Sequence, residues 1–94
     1  MGVMVQRLLA NLKGIYLGLE DFPRGLRIME RMHQLNPQDV VLRRDLGATL
    51  VKTGQPGKAI DHLRFYLEQA PEADDVKVVD KILKSAERRV AEWN

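Results

Sequence analysis

No cysteine occurs among the 94 residues, which removes disulfides, thiolate nucleophiles and cysteine-based zinc or iron–sulfur sites together. That composition is compatible with a reducing cytosol. Aromatic residues are scarce, with one Trp, two Tyr and two Phe, and no run of roughly 18 uninterrupted apolar residues is present to span a bilayer. Neither sign of charge dominates: 15 Lys and Arg against 13 Asp and Glu leave a net +2, a weak footprint for binding phosphate backbones. The 45% hydrophobic content is too high for a disordered tail. What remains is one small folded domain.

Proline is scarce, with four residues, and the chain's breakers fall at regular intervals: Asp21-Phe22-Pro23, Asn36-Pro37, Gly54-Gln55-Pro56-Gly57 and Ala70-Pro71. These breakers predict five helices, near residues 4–18, 22–35, 40–53, 56–69 and 74–92. No segment alternates with period two, whereas Val5, Leu8, Leu9, Leu12, Ile15, Tyr16 and Leu19 recur at steps of three and four, one face of a helix. Asp39 is placed to cap the third helix, and Gly54 stands where a left-handed stop is wanted. Pro23 and Pro56 occupy first turns that need no backbone donor. The opening segment has no basic leader and no cleavage site, so it reads as helix and not as a signal peptide. Because the chain starts almost inside that helix, Met1-Gly2 reads as an artificial start with a larger protein continuing upstream.

Pro37 and Pro71 lie 34 residues apart. At that offset Leu8 aligns with Leu42, Leu12 with Leu46, Gly25 with Ala59, Met29 with Leu63 and Met32 with Tyr66. Gly47 and Ala59 are small, as two closely crossing antiparallel helices require, and Leu46, Leu50 and Leu63 fill the layer beside them. Over Arg43–Pro71 the order Leu46-Gly47, Leu50, Ala59, Leu63, Pro71 resembles the tetratricopeptide repeat family. The first repeat departs from it, with Lys13 in the small-residue slot, Gly25 where alanine is usual, and Leu9 and Arg43 in place of the early tryptophan.

This resemblance implies an all-α, right-handed α-solenoid of two helical hairpins and a C-terminal capping helix. Repeat one would cover about 6–39, repeat two about 40–73 and the cap about 74–93, all within a single domain 1–94. In the last segment Val76, Val79, Leu83, Ala86, Val90 and Trp93 form one apolar stripe, with Lys77, Lys81, Lys84 and Arg88 on the polar face. A cap that lays its stripe on the preceding hairpin is expected. A coiled-coil dimer seam along that stripe is the alternative. The runs Leu12–Leu17, Asp21, Arg24-Gly25-Leu26, Glu30-Arg31-Met32 and Arg43–Gly47 also resemble the helical C-terminal region of bacterial SirB-family proteins, over most of residues 8–71. That likeness implies a transglutaminase-like domain upstream, for whose catalytic residues nothing here is a match.

Candidates for chemistry reduce to structural roles. His33 and His62 lie 29 residues apart without an i, i+4 partner or a carboxylate cluster, so both are expected to be exposed or satisfied and no metal site is proposed. Glu20-Asp21 and Asp74-Asp75 stand at helix starts, where the dipole favours negative charge. The single serine, Ser85, lies inside a helix and not in a nucleophile turn. Gly54-Gln55-Pro56-Gly57-Lys58 lacks the spacing, the following hydroxyl and the preceding strand of a phosphate-binding loop. The methionines sit at core spacing. No catalytic residue and no cofactor is assigned.

A binding face is what survives. In the family the first helix of each hairpin lines the inner side of the array, which implies Arg7, Ala10, Asn11, Gly14 and Leu17 from the first helix. Arg44, Asp45, Ala48, Val51 and Lys52 would come from the third, and Val78, Ile82 and Ser85 from the fifth. Of these, Arg7, Asn11, Leu17, Arg44, Val51, Lys52 and Ile82 are the candidate protein-binding residues, mixing apolar contact with positive charge that suits an acidic protein segment. Ala10, Gly14 and Asp45 stand where most of a terminal-carboxylate clamp would be, which disfavours that mode. The expected partner is a protein or peptide or an upstream domain of the same chain, with self-association as the structural alternative, and neither a nucleic acid nor a membrane. The expected location is cytoplasmic.

Overall fold

In the computed structural model, residues 3–93 are described, so the reading of Met1-Gly2 as an artificial start lies outside the described residues. Five helices follow one another: α1 (Val3–Gly18), α2 (Phe22–Leu35), α3 (Val40–Lys52), α4 (Pro56–Gln69) and α5 (Val76–Trp93). Among the described residues there is no strand. Each helix packs on the next in sequence, and α3 also meets α5. α1 packs closely on α2 alone.

The helix ends are fixed by the residues that the sequence places there. Asp39 Oδ1 accepts the Leu42 amide at 3.1 Å and Asp21 Oδ1 accepts the Arg24 amide at 3.3 Å, each satisfying a donor in a first turn. Pro23 and Pro56 sit in the first turns of α2 and α4. At the end of α3 the Gln55 amide donates to Leu50 O at 2.8 Å and the Gly54 amide to Val51 O at 3.2 Å, with Gly54 left-handed at φ +78°. The end of α1 repeats this 34 residues earlier: Asp21 donates to Tyr16 O at 2.8 Å and Glu20 to Leu17 O at 3.1 Å. There the left-handed position, φ +56°, is held by Glu20. The repeat therefore extends to individual hydrogen bonds, and its first copy carries a side chain where the second has glycine.

The core is the α3–α4 crossing with α2 and α5 against its flanks. Met29, Leu42, Leu46, Leu50, Ala59, Leu63 and Tyr66 are buried there, joined by Val79, Leu83 and Ala86 from α5. Each fully buried leucine contributes roughly 1.5–3 kcal/mol relative to exposure. A Cβ placed on Gly47 would lie 2.7 Å from Leu63 Cδ2 and 2.8 Å from Leu63 Cγ, so the small residue is a condition of the crossing. Gly25 plays a milder version of the same role, its virtual Cβ 3.1 Å from Leu17 Cδ2.

Two expectations change at α5. The helix starts at Val76 and not near residue 74, because the Ala73 amide donates to Ala70 O and the Val76 amide to Ala73 O, winding two turns before the helix begins. Its buried positions Val79, Leu83 and Ala86 follow Leu42, Leu46 and Thr49 by 37 residues each (79 − 42, 83 − 46, 86 − 49) and not by 34. The stripe is also committed: Val79, Leu83 and Ala86 are buried and α5 packs on α4. A dimer seam along this stripe would have to displace α4, so that alternative is corrected. Trp93 departs from the stripe and is exposed.

Two substitutions check the hairpin. Gly47→Leu should destabilise the chain by about 1–3 kcal/mol in chemical denaturation, because the added side chain enters space already held by Leu63. Glu20→Gly should act oppositely and raise stability by about 1 kcal/mol, since it relieves a left-handed non-glycine residue. A lowered denaturation midpoint for Glu20→Gly would contradict the strained turn.

Candidate functional site

The helices sort into two sides. Lys13 on α1 reaches Asp45 on α3, and α3 meets α5, so the first helices share one side. On the other side α2 and α4 approach each other where His33 meets His62. The first side is the candidate interface, and its charges form a continuous chain. Lys13 Nζ lies 2.6 Å from Asp45 Oδ2, and Asp45 Oδ1 accepts from Arg44 Nε at 3.0 Å. Arg44 continues to Asp75 Oδ2 at 2.9 Å, and the Tyr66 hydroxyl donates to Asp75 Oδ1 at 2.5 Å.

Arg44 is therefore bound by two carboxylates and lies 5.6 Å from the centre of the Tyr66 ring. Burial opposes its charge, but Asp45 and Asp75 more than offset this and raise its pKa above the ordinary guanidinium value. The Tyr66 hydroxyl, with Arg44, holds Asp75 below the usual carboxylate range. A groove of positive side chains free to meet a partner's carboxylates does not follow from this arrangement. Arg44 straps α3 to the α4–α5 loop.

The seven candidate residues have distinct surroundings. Leu17, Val51 and Ile82 are half-buried and packed against the core. Lys52 is exposed, its ammonium 4.8 Å from the centre of the Phe22 ring. Arg7 and Asn11 are exposed on α1. The structure brings Leu17 and Lys52 together with Glu20, Phe22, Asp45, Ala48 and Thr49 around a groove of about 310 Å³ between the α1–α2 turn and α3. The other five do not line it. Lys13, Tyr66 and Asp75 join this polar chain, a part that sequence reasoning did not give them; the available signal was that Lys13 and Asp45 are both departures from the repeat pattern and opposite in charge.

The opposite side corrects the expectation for the histidines. The rings of His33 and His62 meet edge to face, 5.2 Å between centroids, at a second groove of about 400 Å³ that Glu30, Lys58 and Asp61 also line. Both Nδ1 atoms are buried without a hydrogen-bond partner, so these histidines are neither exposed nor satisfied. Among the described residues no three His, Asp or Glu side chains gather as a metal-ligand set. Arg43, stacked 4.2 Å from the centre of the Phe65 ring, adds a nearby positive charge. Burial and then Arg43 lower the His33 pKa. Burial, Arg43 and His33 push His62 down to about 4, against the smaller opposing pull of Asp61.

A folded-state pKa below the ordinary value of about 6.5 means that the neutral ring is favoured in the native chain. This stability is fully present above that value and is lost as pH falls from about 6.5 towards the folded pKa. After allowance for solvent screening, the parent should lose about 1–2 kcal/mol more than His62→Gln between neutral pH and the mid-4 range. Denaturation curves measured across that range check this; parallel losses in the two proteins would contradict it.

Residues 12–84 match the family model described as Tetratricopeptide repeat. No curated protein matches the chain, and no solved structure does. Among the described residues, no helix is long and apolar enough to cross a membrane.

Proposed function

The chain belongs to the tetratricopeptide repeat family, whose repeats generally mediate protein–protein interaction without catalysis, and we propose that it docks a protein segment in the groove between the α1–α2 turn and α3. The observation that carries this reading is the composition of that groove. Ala48 leaves room, Leu17 and Phe22 offer apolar contact, and Lys52 is an exposed cation; of the two carboxylates that also line it, Asp45 is held by Lys13 and Arg44, and Glu20 stands exposed on the α1–α2 turn. A short segment pairing an apolar side chain with a carboxylate suits those walls. Arg44, committed to Asp45 and Asp75, serves to fix the groove's floor and not to contact the segment. Arg7 and Asn11, exposed on α1, lie outside the groove and are assigned no contact with the segment.

The likeness of residues 8–71 to the helical region of SirB-family proteins supports a second setting, in which the docked element belongs to an adjoining transglutaminase-like domain and this chain is its accessory half. The lack of cysteine supports a cytoplasmic location. The single domain 1–94, with repeats about 6–39 and 40–73 and a cap about 74–93, is the organisation proposed for it.

A displayed random-peptide library tests the groove. Peptides enriched on the parent should combine an apolar residue with Asp or Glu; Ala48→Tyr should abolish their binding and Lys52→Glu should weaken it at least tenfold, about 1.4 kcal/mol. Arg31→Glu, on exposed α2 surface, should leave it unchanged. Enriched peptides that bind all four proteins equally would place recognition elsewhere.

A further inference from the structure

Among the described residues, three buried side-chain polar atoms lack a hydrogen-bond partner: His33 Nδ1, His62 Nδ1 and Arg43 Nε. All three belong to one junction. His33 and His62 meet there edge to face, and Arg43 opposes positive charge on both rings. Buried polar groups in native proteins are nearly always paired, so three unpaired ones at a single junction set it apart from the rest of the chain. The backbone is also open at this place. No Cα of α2 lies within 8 Å of a Cα of α4, so the two helices are joined across their groove by side chains alone. Leu46 and Leu50 of α3 line that groove, yet they are only 1% and 3% exposed. Residues that line a groove and remain almost inaccessible are covered by their neighbours in it, and the neighbours that meet each other from α2 and α4 are the two imidazoles.

We propose that the His33–His62 contact is an acid-released latch: the neutral rings cover Leu46 and Leu50, and on protonation they withdraw to water and open the groove to its apolar floor. The chemistry of the ring sets the direction. A neutral imidazole can keep its one proton on Nε2 and leave Nδ1 bare, whereas an imidazolium carries an N–H on both nitrogens. In the latched position each new Nδ1–H would be buried without an acceptor, a state that native packing avoids. A protonated ring therefore has to leave that position to find water.

Charge acts in the same direction. The groove is lined by Glu30 from α2 and by Lys58 and Asp61 from α4, while Arg43 of α3 bears on both rings; α1 and α5 contribute no residue to this lining. Two carboxylates thus balance two cations, and a proton on either ring is uncompensated. Protons on both would set two imidazolium rings beside the Arg43 guanidinium. Burial and Arg43 hold the latched rings neutral; a ring that has reached water is free of both, so falling pH favours release. The inner side contains no imidazole in its Lys13–Asp45 and Arg44–Asp75 pairs, and the opening is confined to the α2–α4 side. This groove is separate from the one proposed to dock a segment, so either reading can fail alone.

Methyl NMR on the full chain tests the latch, with an uncharged gadolinium chelate as the probe of solvent access. From neutral pH to about 4.5, paramagnetic broadening of the Leu46 and Leu50 methyl groups should rise several-fold and should reverse on neutralisation. Leu42 and Leu63 are equally buried in the same core but do not line the groove, and their broadening should change little. Two histidine-free variants separate the latch from general acid loosening. His33→Phe with His62→Phe keeps two rings in contact that take up no proton, and His33→Gln with His62→Gln supplies a second neutral pair should the first fail to fold. Broadening at Leu46 and Leu50 should be independent of pH in both. No rise at these two leucines, an equal rise at Leu42 and Leu63, or a pH response that persists in a folded histidine-free variant would each overturn the latch.

Discussion

The close approach of α3 to α4 is the constraint on which the other contacts depend. With glycine at 47, Leu63 can lie against the α3 backbone, and the buried Leu46, Leu50, Ala59 and Tyr66 close around that contact. Pushing the helices apart by even one methyl group would loosen every residue that bridges them, because a core packed to crystal-like density has no slack to absorb it. The turn between the two helices cooperates. Gly54 reverses the chain in a left-handed conformation, so α4 starts close to the end of α3.

The polar chain on the inner side depends on that geometry in turn. Tyr66 is buried on α4, and from there its hydroxyl reaches Asp75, which also receives Arg44 from α3. Three segments thus meet at one carboxylate, and Asp45 extends the network to Lys13 on α1. Exposed ion pairs contribute little singly, but a half-buried network with shared carboxylates holds its members in one geometry. The consequence is that most charge on this side is spent internally, and the recess between the α1–α2 turn and α3 has mixed walls, with Leu17, Phe22 and Ala48 apolar and Glu20, Asp45, Thr49 and Lys52 polar.

Much of the fold was legible because the repeat is written in residue size. The 34-residue offset pairs Leu12 with Leu46 and Met29 with Leu63, and Gly47 and Ala59 announce the close crossing; Asp39 and Gly54 act at the helix ends as their chemistry requires. The candidate site was less legible. Assigning Arg44 to the inner side was a statement about its helix, whereas its role depends on Asp75, 31 residues away in a loop whose extra turns break the repeat offset. The His33–His62 contact joins second helices of successive hairpins, and no periodic signal couples positions 29 apart. Glu20 was legible in retrospect: the offset that aligns other positions sets it against Gly54.

The two sides of the array therefore respond to different conditions. Protonation acts on the α2–α4 contact, where two unpartnered rings share space with the Arg43 cation, and a second positive charge there repels the first. The inner side is tied by Arg44 and Asp75, whose shifts both favour the charged forms, so mild acid leaves its straps in place. α3 supplies residues to both: Arg43 faces the histidines while Arg44 and Asp45 face inward. Loosening the outer contact would thus reach the groove only through the packing of α3, which Gly47 and the leucines around it hold most tightly. A chain of this build keeps its inner side ordered under conditions that weaken the α2–α4 contact, and the same α3 helix accounts for both properties.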